Sequence, residues 1–163
     1  MAFDPLRDYP LGTRRPDLVS TPSGRRLAEL TVDALRDGSI TAEDMRATPE
    51  TIRRQAAVAR AAGRVPLAEN LERAAELSLI AAPTILEAYT ALRPHRSTAA
   101  ELELWAARLE GELAAPLTAA FGREAATAYA RRGLLRRGAA TARPSPAPSA
   151  SARASATRSA SSR

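Results

Sequence analysis

Nine prolines spread through the first 116 residues constrain this chain more than any other feature: Pro5, Pro10, Pro16, Pro22, Pro49, Pro66, Pro83, Pro94 and Pro116. A proline lacks the N–H that a helix interior needs, and its ring clashes with the preceding turn. Each one therefore marks a boundary, a kink or the first turn of a helix. Between Met1 and Ser23 the prolines come every five or six residues, so no helical period survives. That segment reads as an irregular arm. It carries Phe3, Leu6, Tyr9, Leu11, Leu18 and Val19, too apolar a set for a free tail, so it is expected to lie against its own domain or a partner.

From residue 24 to 137 the intervals between breakers read as helices. Thr31 to Leu35 is short and stops at Asp37-Gly38. Thr41 with Asp44 suits another short capped turn. Thr48-Pro49-Glu50-Thr51 is a helix start, with a hydroxyl cap, proline at the first position and an acid in the first turn. That helix runs to Gly63 with Ile52, Ala56 and Ala59 on one stripe and Glu50→Arg54 paired outside. Pro66 opens the next, with Leu67, Leu71, Ala74, Ala75 and Leu79 inward and Glu69→Arg73 outside. Pro83 leads into Ile85, Leu86, Tyr89 and Leu92, and Pro94 ends that helix. Thr98 and Glu101 form a capping box ahead of Leu102, Trp105, Leu109 and Leu113. Gly111 and Pro116 break or kink this last helical stretch, and Phe121, Ala125, Ala128 and Tyr129 carry an apolar stripe to about Arg132. No segment alternates with a strand's period of two. The expected fold is all-α: a small up-and-down helical bundle (24–137) with an irregular N-terminal arm (1–23). The final segment, 138–163, consists of Ala, Ser, Arg, Pro, Thr and Gly alone. It has nothing to anchor a core and is expected to be disordered.

Charge has to be located before it is interpreted. The net charge is +6, and all 24 basic residues are arginine. Up to Gly133 the arginines balance the 18 acids; the excess comes from Arg136, Arg137, Arg143, Arg153, Arg158 and Arg163. The helical part has no compositional bias towards polyanions. The chain has no cysteine and one histidine, which excludes disulfides, thiolate metal sites and cysteine nucleophiles and leaves little room for a Ser-His-Asp triad. No run approaches the roughly 18 apolar residues of a membrane span, and the first residues do not read as a signal peptide. A bacterial cytoplasmic setting is expected.

Candidate chemistry is sparse. His95, in Arg93-Pro94-His95-Arg96-Ser97, has the chemistry of a general base or metal ligand, but one imidazole between two arginines is read as a turn residue. Glu72 and Glu76, one helical turn apart, form a possible carboxylate pair; the neighbouring Glu69 and Arg73 favour an ordinary solvated face. Arg93 and Arg96 suit a phosphate, yet no Gly-rich loop accompanies them, so helix capping or an ion pair to a partner is preferred. Arg136, Arg137 and the later arginines lack the aromatics that base stacking needs. With no Walker, GxGxxG or GxSxG motif, the residues describe no self-sufficient active site. Short helices with many inward alanines describe a subunit completed by a larger partner.

Six strings carry a family resemblance by their order and spacing. They are Asp8-Tyr9-Pro10-Leu11; Thr21-Pro22-Ser23-Gly24; Asp44-Met45-Arg46 with Thr48-Pro49-Glu50-Thr51; Asn70-Leu71-Glu72-Arg73-Ala74-Ala75-Glu76-Leu77; Ile85-Leu86-Glu87 with Tyr89 and Ala91-Leu92-Arg93-Pro94-His95-Arg96-Ser97; and Ala120-Phe121 with Arg123-Glu124-Ala125 and Tyr129. Over about residues 8–137 the chain resembles the small subunit of adenosylcobalamin-dependent diol and glycerol dehydratases. The resemblance implies a dimer of heterotrimers that turns 1,2-propanediol, glycerol or ethanediol into an aldehyde and water by a radical route. It implies large and medium partner subunits, with substrate and metal ion in the large one and adenosylcobalamin between the two. The small chain then holds no catalytic, cofactor or metal residue, and Asp8, Tyr9, Leu11, Arg93, Pro94 and Arg96 are expected to contact partners. His95 stands where the family pattern has an aromatic residue and is expected to fill a packing slot. Pro116 departs from the pattern and puts the continuity of the last helix in question. No amphipathic helix precedes Asp8, so the chain is not expected to be the signal for enclosure in a bacterial microcompartment, although the assembly itself suits one. The competing reading is a stand-alone helical nucleic-acid adaptor that uses the basic C-terminal segment.

Overall fold

The structure is a computed structural model, and it describes residues 2–137. The expected disorder of 138–163 lies outside the described residues. Among those described, the fold is all-α, with helices α1 (Leu11–Arg14), α2 (Val32–Arg36), α3 (Pro49–Ala61), α4 (Val65–Leu77), α5 (Ala82–Ala91), α6 (Ala99–Gly111) and α7 (Pro116–Arg132). The irregular part is longer than the sequence indicated. Up to residue 47 the chain is turns, the four- and five-residue helices α1 and α2, two 3₁₀ turns and one isolated bridge between Ser20 and Arg26.

The helix starts follow the sequence signals. Thr48 Oγ1 accepts the Thr51 N–H at 3.2 Å with Pro49 at the first position. Thr98 and Glu101 form the reciprocal capping box. Thr31 Oγ1 accepts the Ala34 N–H to open α2. The stop of α3 is equally explicit. Gly63 takes φ +75, which a residue with a Cβ adopts only under strain. Its N–H reaches the Arg60 carbonyl while the Arg64 N–H bonds the Ala59 carbonyl at 2.8 Å. This Schellman closure turns the chain back within three residues, so α3 and α4 form an antiparallel hairpin.

A second hairpin joins α6 to α7. The last helical stretch breaks where Gly111 and Pro116 were expected to break or kink it: α6 ends at Gly111, and Pro116 is the first residue of α7, where its missing N–H would have had no helical partner anyway. The turn before it places Ala114 at φ +49 and returns the Ala115 N–H to the Leu109 carbonyl at 2.7 Å. The hairpins meet where α4 crosses α7, and α5 leans on α6. Alanines make the close approaches: Ala68, Ala75, Ala115 and Ala119 have no solvent exposure at all. Ala106, Leu109, Ala115 and Ala119 form one buried cluster, with Ile80 and Leu113 packed against it. A small side chain lets backbones approach closely, and Ala56, Ala59 and Ala75, read as inward from the sequence, are buried within this chain.

Several expected positions are corrected. Leu79, read as inward, is 70% exposed because α4 ends at Leu77 and Leu79 falls in the following turn. Leu67 is also largely exposed. The expected helix pairs are replaced by longer-range contacts: Arg54 Nη1 donates to the Leu18 carbonyl at 2.6 Å, and the Arg73 guanidinium lies 4.7 Å from the centre of the Phe121 ring.

Candidate subunit interface

The arm is built around a carboxylate. Asp8 is buried and accepts the Asp4 N–H at 2.9 Å, two bonds from the Arg7 guanidinium and one from Arg15 Nη1 at 3.2 Å. These bonds, that of Arg7 foremost, hold its carboxyl well below the usual carboxylate range. Arg15 also grips Asp17. Two bends of the arm are thereby tied to one point, and Arg54 ties the arm to α3. Leu11 is buried. Tyr9, preceding a cis proline bond, is 57% exposed, and Leu6 is 66% exposed.

A second polar node closes the irregular region. Ser23 Oγ donates to Asp44 Oδ1, while Asp44 Oδ2 accepts both the N–H and the hydroxyl of Thr41. The hydrogen bond from Ser23, then that from the Thr41 backbone, lowers the Asp44 carboxyl to about 2. Both partners stand in strings singled out in the sequence, but no local signal pairs them across 21 residues.

Between arm and helical hairpin lies a groove of about 780 Å³. Leu6, Tyr9, Leu11 and Leu27 form one wall; Val58, Leu67 and Leu71 from α3 and α4 form the other. A second apolar surface comes from α5 and α6, where Leu86, Tyr89 and Leu104 are all exposed.

The arginine turn is held from behind. Gly133, at φ +66, closes α7 and sends the chain back across residues 95–97. The His95 N–H donates to the Leu134 carbonyl at 2.7 Å, Arg136 N–H to Ser97 and Arg136 Nε to Arg96. Tyr129 Oη donates to the Leu92 carbonyl at 2.7 Å. Arg93, Pro94 and Arg96 are exposed on this turn. His95 does not fill a packing slot. It is exposed at φ +62, a left-handed position that histidine tolerates better than most residues.

The six residues expected to meet partners therefore fall into different environments. Tyr9, Arg93, Pro94 and Arg96 are exposed, whereas Asp8 and Leu11 are buried within the arm. Glu72 and Glu76 do not form a working carboxylate pair: Glu72 accepts two bonds from Arg60, and Glu76 caps α7. The apolar walls Leu27 and Leu67 and the groove's Arg64 carry no sequence signal of a shared site; they are far apart along the chain, and only the packing of the arm unites them. Among the described residues no cluster of three or more His, Cys, Asp or Glu is placed to hold a metal ion. No helix among them is long and apolar enough to cross a membrane.

Among the described residues the fold defines a small all-α protein of two helical hairpins with an irregular N-terminal region. Residues 5–136 match the family model described as dehydratase small subunit. Over 131 residues the chain is 47% identical to the propanediol dehydratase small subunit of Citrobacter freundii and, equally, to that of Salmonella typhimurium. The match covers 80% of this chain and 76% of each relative. The chain belongs to the dehydratase small-subunit family.

Proposed function

We propose that the chain is the accessory small subunit of an adenosylcobalamin-dependent propanediol/glycerol dehydratase. The observation that carries this reading is the 47% identity over 131 residues to two propanediol dehydratase small subunits. The complex takes a 1,2-diol to an aldehyde and water, and catalysis resides in its large and medium subunits. Adenosylcobalamin would be held by those subunits and would supply radical chemistry there, with no residue of this chain in contact with it.

The donor set of this chain supports that division of labour. Its one imidazole, His95, is exposed on a turn with no second histidine or cysteine beside it, and its two carboxylates held furthest below their ordinary range, Asp8 and Asp44, are engaged in holding the irregular region. What the chain offers is surface: the arm with Tyr9, and the turn with Arg93, Pro94 and Arg96, set on two rigid hairpins. The assembly is a dimer of heterotrimers in the bacterial cytoplasm, with enclosure in a microcompartment as one setting.

Tagged co-purification with the large and medium subunits tests the reading. Aldehyde release from 1,2-propanediol is then followed on the same material, with and without adenosylcobalamin. The expected result is recovery of two larger chains and cofactor-dependent aldehyde that is lost when this chain is omitted. A chain that recovers neither subunit would overturn it.

A further inference from the structure

We propose that the chain's own segment Arg143-Pro144-Ser145-Pro146-Ala147-Pro148 folds back onto the exposed face of α6 around Leu104 and Trp105, with the Arg143 guanidinium paired to Glu87. The inference is independent of the dehydratase reading. Glu101, Leu104, Trp105 and Arg108 recur at three- and four-residue spacing and line a shallow hollow of about 190 Å³ on one side of α6. Leu104 is 70% exposed and Trp105 is half-buried. Glu87 of α5 borders this face through its 4.0 Å contact with Arg108.

The place where the described chain ends selects this occupant. Arg136 donates its backbone N–H to the Ser97 carbonyl and its guanidinium to Glu101, at one end of the face. The segment from 138 onwards therefore leaves beside the hollow. Arg143 is six residues beyond Arg137, a reach of up to about 20 Å, whereas α6 from Glu101 to Arg108 is only about 10 Å long. Charge agrees. Glu87, Glu101 and Glu112 border the face against Arg108 and Arg136, one acid in excess. Arg108 lies closer to Glu112, at 3.1 Å, than to Glu87, at 4.0 Å, so Glu87 is the acid most open to a further cation. The only charged residues of 138–163 are arginines. Alternating prolines bias a segment to the extended polyproline conformation, which loses little entropy on docking and packs its rings against aromatic side chains.

Trp105 is the only tryptophan of the chain, so fluorescence of the isolated full-length chain reads this face directly. Replacing Pro144, Pro146 and Pro148 together with Gly should shift its emission to the red and increase its quenching by acrylamide. Arg143→Glu should act in the same direction, lowering the ratio of docked to free segment roughly two- to fivefold, as for the loss of an exposed ion pair. Combining Arg143→Glu with Glu87→Arg should restore the parent's emission and quenching. Far-UV circular dichroism of each full chain reports that the helices are intact. Emission and quenching unchanged in the triple glycine variant would overturn the docking. A charge swap that restores nothing would overturn the Arg143–Glu87 pairing. Protection that disappears on dilution would place a neighbouring copy's segment on the face and overturn the intrachain contact.

Discussion

The Glu76 carboxylate, in the last turn of α4, caps the start of α7 at Thr118, 42 residues further along the chain. It accepts the Thr118 N–H at 2.8 Å, the Thr118 hydroxyl at 2.7 Å and the Leu117 N–H at 2.9 Å. Pro116 at the first position and this borrowed carboxylate satisfy the start of a helix whose own cap residue, Ala115, has no side-chain acceptor. One residue thereby locks the two hairpins together. Replacing Glu76 with Ala should lower stability by about 1–2 kcal/mol, the usual loss on removing an N-terminal cap. Glu76→Gln, which keeps one acceptor, should lose less; urea unfolding of the two variants measures both.

Alanine at position 75 is required by space. Its side chain has no exposure between α4 and its neighbours, so Ala75→Leu should cost about 1–3 kcal/mol by overpacking. Ala61→Leu, on the exposed side of α3, should stay within about 0.5 kcal/mol of the parent. A difference between the two unfolding midpoints is the expected outcome.

The Asp44 node makes stability depend on pH in acid. Its carboxyl is lowered from 3.8 to about 2 in the folded chain. Below the unfolded value the unfolded chain therefore binds the proton more readily than the folded one. The stabilisation is fully present above about pH 4 and is lost as pH falls towards about 2. Asp44→Asn should remove that part of the acid slope, so the gap between parent and variant narrows on acidification. Thermal melts at intervals from about pH 5 to about pH 2 check it; a gap that stays constant would show that Asp44 is not the titrating group.

The exposed arginine turn should contribute to assembly. Changing both Arg93 and Arg96 to Ala is expected to weaken recovery of the larger subunits roughly five- to tenfold without loss of helicity, since no side-chain bond from either is needed by α5 or α6. Unchanged recovery would remove this turn from the interface.

Removing 138–163 separates the two functional classes. Under the nucleic-acid-adaptor reading, truncation abolishes polyanion binding with the four arginines; under the dehydratase reading, subunit recovery and aldehyde release persist. Loss of assembly on truncation would contradict that reading.

The helical half of the fold was legible in the sequence because its signals are local. Thr48-Pro49, Thr98 with Glu101, and Gly63 each act within one turn of the backbone, where hydroxyl, carboxylate or positive φ decides the outcome irrespective of the rest of the chain. The absence of cysteine and the lone histidine bounded the chemistry in the same way. Tertiary structure alone decided which neighbour each side chain would meet. Glu76 was one of many surface acids until α7 came to lie beside it; Ser23 met Asp44 only through the folding of the arm. Leu67 fell on the apolar stripe of α4 yet stayed exposed, because the arm leaves a groove over it. Capping and helix breaking are one-turn interactions written in contiguous residues, whereas a long-range cap and a groove depend on how separate segments pack.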